Sequence, residues 1–205
     1  MMCDVKNNVQ SRLVWLLVGG GSTAVVLSLL FLSAFTSHAA SGGRVNYSGN
    51  PATLGGQSCG SCHSAVDAAT PEVWIEGPTA VVVGDVLTYT LVISGGPAVI
   101  GGFNVSASGG LLQAIPSLTT TQTLNNFLGR AEVTHTFPPP NFNEDQTLTF
   151  PFRWHAAGTG EQTLYGAGLS ANGSGDLSGD TVQNTVLAVQ VTPMQLYLPL
   201  ISRQP

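Results

Sequence analysis

DVLTYTLVIS, residues 85–94, alternates apolar and polar side chains along its length. The large apolar residues at positions 87, 89, 91 and 93 would share one face of an extended chain, and Thr88 and Thr90 would lie on the other face. A period of two residues is the signature of a β-strand with one face buried. This stretch therefore predicts a strand that contributes one face to a hydrophobic core.

Strands of similar character are predicted on both sides of it, separated by Gly, Pro and Asn turns, with no pattern long enough for a helix between them. Seven or eight such strands predict an all-β fold, an immunoglobulin-like antiparallel β-sandwich over residues 71–192. The glycines between GGFNVSAS (101–108) and LLQAI (111–115) predict a hairpin. Pro151, inside TLTFPFRWHA (147–156), predicts an edge strand or a bulge.

The first forty residues have the layout of a secretory signal. A polar head with Lys6 and Arg12 precedes an uncharged apolar run over residues 13–35, and small residues follow it. We expect residues 1–40 to be removed by cleavage after Ala39 or Ala40. The alternative is a retained N-terminal anchor that tethers the chain to a membrane through residues 13–35. Either outcome places the protein outside the cytoplasm, in the periplasm, at the cell surface or in the medium.

The charge of the chain restricts its partners. Without residues 1–40 it keeps four arginines, no lysine and ten carboxylates, a net charge of −6. Such a surface does not attract a phosphate backbone, so we expect no nucleic-acid partner. No phosphate loop, nucleophile elbow or His-Glu-x-x-His motif is present, and no pair of carboxylates stands out as an acid–base couple. We therefore expect a protein that is not an enzyme.

The loop-rich segment 41–70 precedes the predicted strands and contains GGQSCGSCHSA, residues 55–65. Cys-x-x-Cys-His is the spacing of covalent haem attachment: Cys59 and Cys62 would hold the porphyrin of one haem c, and His63 would bind its iron. Three alternatives remain open. Zinc normally requires four ligands where this motif offers three, a redox dithiol normally lies in a βαβ unit, and the two cysteines would also suit a small structural disulfide.

The second axial position of such a haem has three candidates. The alternation of RAEVTHTF (130–137) places His135 on the apolar face of its strand, where a histidine without a partner is costly, so His135 is the preferred distal ligand. His155 is predicted to face water, and Met194 is the one thioether outside the signal. An iron with an open sixth position is a further alternative.

Five motifs together carry a resemblance to a known family. They are GGQSCGSCH (55–63), GFNVSA (102–107), VTHT (133–136), FPFRWHAAGTG (150–160) and GLSANGSGDLSGD (168–180). In this order they resemble secreted bacterial domains described as choice-of-anchor V proteins, which are similar to the Reeler domain of reelin. The resemblance implies an exported immunoglobulin-like β-sandwich with a haem-binding signature, and it matches His135 to the family's histidine. Phe150 and Ala157 depart from the family's usual Trp and Pro.

Two functional hypotheses follow. The first is an exported mono-haem c-type protein that transfers single electrons to a redox partner that the sequence does not identify. The alternative is a cell-surface adhesion or recognition domain in which the cysteine loop is structural. Within 168–180, the side chains of Asn172, Asp176 and Asp180 would suit calcium, although Asx residues among glycines are also typical of a long turn. We leave residues 193–205 as a C-terminal tail.

Overall fold

The computed structural model describes residues 40–65, 67–140 and 143–195. The predicted signal and most of the C-terminal tail lie outside these residues. No described helix is long and apolar enough to cross a membrane. The strands of the described part are β1 (Glu72–Glu76), β2 (Ala80–Val82), β3 (Val86–Ser94), β4 (Ile100–Ala107), β5 (Leu111–Ala114), β6 (Thr121–Asn125), β7 (Ala131–His135), β8 (Thr147–His155), β9 (Gly160–Ala171) and β10 (Thr181–Thr192).

These strands form two sheets, so the predicted all-β sandwich is confirmed. One sheet has four strands in the order β1-β3-β8-β5, and the other has six in the order β2-β10-β9-β4-β7-β6. Neighbours pair antiparallel except β2 and β10, which run parallel. This arrangement buries one face of each sheet against the other.

The core between the sheets follows the predicted alternation. Tyr89, Leu91 and Ile93 of β3 are fully buried. On β8, Phe152 and Trp154 are also fully buried, and the ring centroids of Tyr89 and Trp154 lie 5.8 Å apart in an edge-to-face arrangement. Aromatic pairs in this geometry stabilise a core beyond the area that they bury.

The predicted hairpin between β4 and β5 is wrong. β4 belongs to the six-stranded sheet, and β5 pairs with β8 in the four-stranded sheet. The glycines between them let the chain cross from one sheet to the other: Gly110 has φ +77°, and a Cβ there would lie 2.5 Å from Nε1 of Trp154. The same indole donates a hydrogen bond to the carbonyl of Gly109 at 2.9 Å. The crossing therefore requires glycine at position 110, because a side chain there would overlap the Trp154 ring.

Pro151 lies in an interior strand, although the sequence predicted an edge or a bulge. β8 is flanked by β3 and β5, and Pro151 pairs with Thr90 of β3. On the other side β5 ends at Ala114, which is opposite Phe152. The proline therefore lies where β8 has no second neighbour, and its missing N–H leaves no ladder bond unmade.

The second face of the six-stranded sheet is covered by the N-terminal segment 40–65, which we call the lead-in. Asn104, Ser106 and Glu132 alternate with core residues of β4 and β7, yet all three are buried. The backbone N–H groups of Asn46 and Tyr47 donate to the side chains of Glu132 (2.8 Å) and Asn104 (2.9 Å). The lead-in is thus a third layer, held to the sheet by polar contacts.

Candidate functional site

The Cys-x-x-Cys-His motif forms a single helical turn in the lead-in. A 3₁₀ turn spans Cys59–Ser61, and the carbonyl of Cys59 accepts hydrogen bonds from the N–H groups of Cys62 (3.2 Å) and His63 (3.1 Å). Residues three and four apart share one side of such a turn. The local geometry therefore presents Cys59 and Cys62 to the same neighbour, as attachment of two vinyl groups requires.

A cavity of about 220 Å³ lies between this turn and the covered face of the six-stranded sheet. Cys59, Cys62 and His63 line it from the lead-in, and His135 lines it from the end of β7. The four residues predicted from the sequence as haem ligands are therefore brought together at one site. Much of the remaining wall is apolar or glycine, and it includes Tyr47, Ile100, Gly101, Gly102, Phe103, Pro138 and Leu169.

His63 is held by a carboxylate. Its Nδ1 lies 2.7 Å from Oδ2 of Asp180, and the two side chains are 12% and 3% exposed. An ionised carboxylate only accepts hydrogen bonds, so Nδ1 of His63 carries the proton and donates it. Nε2 of the neutral ring then keeps its lone pair, which is the arrangement found in metal-binding histidines whose other nitrogen donates to a carboxylate.

His135 is buried as predicted, but its ring lies at the cavity rather than between the sheets. The backbone pairing of β4 with β7 covers only Asn104 with Thr134 and Val105 with Val133. Beyond it, Nδ1 of His135 lies 3.1 Å from the backbone N of Phe103 and 3.4 Å from the carbonyl oxygen of Phe103. The ring packs over Gly102, where a Cβ would lie 2.8 Å from Cε1 of His135. The end of the strand pair thus provides both the hydrogen bond and the space for the imidazole.

The surroundings of His135 keep its imidazole neutral. The pKa of His135 is lowered below its ordinary value, chiefly because the ring is buried. Hydrogen bonds to the backbone of Phe103 and Ala40 raise the pKa by a smaller amount, and the charge of His63 lowers it slightly. His63 and His135 both line the cavity. A neutral imidazole is the form that binds a metal.

Cys59 is a protonated thiol in this site. Its Sγ lies 3.9 Å from the carbonyl of Tyr47, and burial raises the pKa of the thiol to about 12. Since the thiolate is the nucleophile in disulfide exchange, this environment does not favour a redox dithiol. Cys59 is free and Cys62 is disulfide-bonded, so the two are not joined to each other. Removal of residues 1–40 would leave them as the only two cysteines.

The other candidates for the sixth iron ligand lie elsewhere. His155 ends β8, in the four-stranded sheet, and it does not line the cavity. Met194 follows β10 and is 66% exposed. Of the three side chains considered from the sequence, only His135 borders the cavity with His63.

The loop proposed for calcium is organised by its own hydrogen bonds. Oδ1 of Asp176 accepts from the hydroxyl of Ser174 and from the N–H and hydroxyl of Ser178, and these bonds hold the pKa of Asp176 below its ordinary value. Asp180 points instead to His63. Among the described residues, no group of three or more His, Cys, Asp or Glu side chains is placed to hold a metal ion. These contacts favour the turn interpretation of the loop.

Asp180 lines the cavity and contacts His63, a pairing that the sequence did not predict. It is 117 positions from His63, and its glycine-rich surroundings resemble an ordinary turn. No local periodicity links the two residues, so no signal in a single sequence pairs them.

Comparisons with known proteins place only the fold. No family model and no curated protein sequence matches the chain. A cohesin module from a Clostridium perfringens family 33 glycoside hydrolase is 13% identical, covers 61% of this chain and 98% of the module, and has a TM-score of 0.40. The CARDB domain of the PF1109 protein of Pyrococcus furiosus, solved with di-metal ions, is 14% identical, with coverages of 63% and 95% and a TM-score of 0.33. These are similar β-sandwich modules, and they carry no information about the cavity.

Proposed function

We propose that the mature chain is an exported mono-haem c-type protein, with Cys59 and Cys62 bonded to the porphyrin and His63 and His135 as axial ligands. The observation that carries the proposal is the convergence of these four side chains on one cavity from separate parts of the chain. Cys59, Cys62 and His63 belong to the lead-in, and His135 ends β7. Haem attachment by this motif needs two thiols and an imidazole beside them, and bis-histidine ligation needs a second imidazole opposite.

The residues that line the cavity are chemically suited to a haem. Cys59 and Cys62 lie on one turn, burial favours the neutral form of His135, and the walls are largely apolar or bare backbone. The volume of about 220 Å³ is below the roughly 300–1,000 Å³ of pockets that enclose organic ligands. The cavity as it stands therefore encloses only part of a porphyrin.

The chain has three tasks at this site. His63 is oriented by Asp180, His135 is oriented by the backbone of Phe103, and both imidazoles line the cavity. Apolar neighbours such as Phe103 and Leu169 line the cavity and would limit the access of water to a bound group. Haem supplies single-electron redox chemistry when it is bound. Two histidine ligands favour a lower reduction potential than a histidine and a methionine.

The family resemblance gives the same site a second line of support. Four of the five motifs contribute a wall of the cavity: 55–63, 102–107, 133–136 and 168–180. The remaining motif, 150–160, contains β8 residues of the sandwich core. A set of motifs that meets at one cavity is what a family with a shared haem site would retain. We extend the resemblance to location and propose export to the envelope or the cell surface.

The test is expression in a host with haem c maturation machinery, followed by a reduced-minus-oxidised spectrum and an intact mass. We expect an α-band and a mass gain of one haem. The double variant Cys59→Ala/Cys62→Ala, checked for folding by circular dichroism, should lose both signals. A folded wild-type chain without the α-band or the mass gain overturns the proposal. One bound zinc per chain in that preparation would identify the metal-site alternative instead.

A second candidate function is surface recognition or adhesion, with the cysteine loop as a structural element. Its specific support is an exposed apolar cluster of Leu124, Phe127 and Leu128 around the β6–β7 turn, with exposures of 37%, 60% and 46%. Apolar side chains grouped on a surface mark contact sites more often than single ones do. A cohesin module is also among the structures with a similar fold. Binding to intact cells by the haem-free double variant at wild-type strength favours this candidate.

A further inference from the structure

The hydrogen bond between His63 and Asp180 has a buried acceptor. The Asp180 side chain is 3% exposed, and its Oδ2 lies 2.7 Å from Nδ1 of His63. Its Oδ1 accepts the N–H of Asn172 at 3.0 Å. Both carboxylate oxygens are therefore engaged by donors, and the orientation of Asp180 does not depend on solvent. A charge-assisted hydrogen bond of this length is stronger than one to a neutral acceptor.

The loop that contains Asp180 is fastened to the motif at a second point. The N–H of Ser64 donates to the carbonyl of Leu177 at 2.9 Å, and Ser64 forms a parallel bridge with Ser178. Asp180 itself directly precedes β10, whose first residue pairs with Ser170 of β9. The 172–180 loop thus connects the cysteine turn to the two longest strands of the sandwich. This connection fixes the distance between Asp180 and His63.

We infer that Asp180 is a positioning residue for the proposed haem site. It holds His63 as the Nδ1–H tautomer with Nε2 free, and its negative charge makes Nε2 a stronger donor. A more basic axial imidazole stabilises the oxidised iron, so Asp180 lowers the reduction potential of the bound haem. The inference rests on the proposed function, but the tautomer of His63 is a property of this chain with or without haem.

The first experiment compares potentials of the haem-loaded protein. Asp180→Asn keeps an acceptor for the N–H of Asn172 and removes the charge next to His63. Asp176→Asn removes a charge that lines the same cavity without contacting His63, and it serves as the matched control. We expect a higher midpoint potential for Asp180→Asn, and a smaller rise for Asp176→Asn. An unchanged potential in a folded, haem-loaded Asp180→Asn protein overturns the inference.

The second experiment needs no haem. The ¹⁵N chemical shifts of the His63 ring, measured in wild-type chain produced without maturation machinery, report its tautomer directly. We expect Nδ1–H in the wild type and in Asp176→Asn, and a shift towards Nε2–H in Asp180→Ala. A wild-type His63 in the Nε2–H form overturns the inference. A wild-type chain that takes up no haem under maturation conditions overturns the proposed function, and the tautomer result then stands by itself.

Discussion

His135 and His155 are the two imidazoles of the sandwich strands, and they differ in which sheet they belong to. His135 packs over Gly102 at the cavity wall, and His155 ends β8 in the opposite sheet. We expect His135→Ala to leave the iron with an open face, so that the reduced haem protein binds carbon monoxide and its spectrum changes. His155→Ala is the control and should behave as the wild type. An unchanged spectrum in a folded His135→Ala protein removes His135 as a ligand.

Cys59 offers a test of the site without cofactor. Its pKa of about 12 against a reference value of 9.0 means roughly a thousandfold less thiolate near pH 8. In a haem-free Cys62→Ala chain that lacks residues 1–40, we expect iodoacetamide to modify Cys59 slowly when folded and rapidly in denaturant. The folded rate should keep rising with pH up to about 12. Equal rates in the two states, measured by mass spectrometry, would show that the thiol is not enclosed.

The lead-in is the element on which the cavity depends, and Glu132 is one of its fully buried anchors. The carboxylate accepts the N–H of Asn46 and the amide of Asn126, both at 2.8 Å. Replacing Glu132 with Ala leaves both donors without a partner in a buried place, which costs on the order of 1–3 kcal/mol per group. We expect a lower free energy of unfolding in urea for Glu132→Ala. Glu144→Ala, at an exposed position, should match the wild type.

The sequence predicted some strands and missed others, and the difference follows from what an alternating pattern of side chains encodes. The alternation of apolar and polar residues identified β3 and β8 and the buried face of each. A strand with one buried face has an apolar residue at every second position. The alternation did not identify β6, whose residues are mostly exposed, and it assigned β5 the wrong partner, since a pattern of faces contains no information about pairing. Asn104 and Ser106 are polar, so the sequence alone does not show whether their side chains face water or the lead-in. The burial of His135 was predicted from the sequence, whereas the contact of Asp180 with His63 required the fold.

The stability of the whole molecule should depend on pH through His135. Its pKa is lowered in the folded chain, so the unfolded chain binds more protons once the pH falls below about 6.5. Stability is therefore complete above that pH and declines as the solution is acidified. We expect the Tm of the haem-free double cysteine variant to fall between pH 7 and pH 5, and to fall less when His135→Gln is added. Equal declines in the two proteins would contradict this assignment.

The lead-in also determines when the motif is accessible. In a chain exported from its N-terminus, Cys59 and Cys62 arrive outside before most of the sandwich, and the sheet that receives the lead-in is incomplete until β10 has followed. During that interval the thiols have no cavity around them and are accessible to a modifying enzyme. Pairing of β10 with β9 then brings Asp180 to His63 and closes the layer. If the chain carries the proposed haem, we expect its attachment to precede closure of this layer, because the folded chain encloses Cys59.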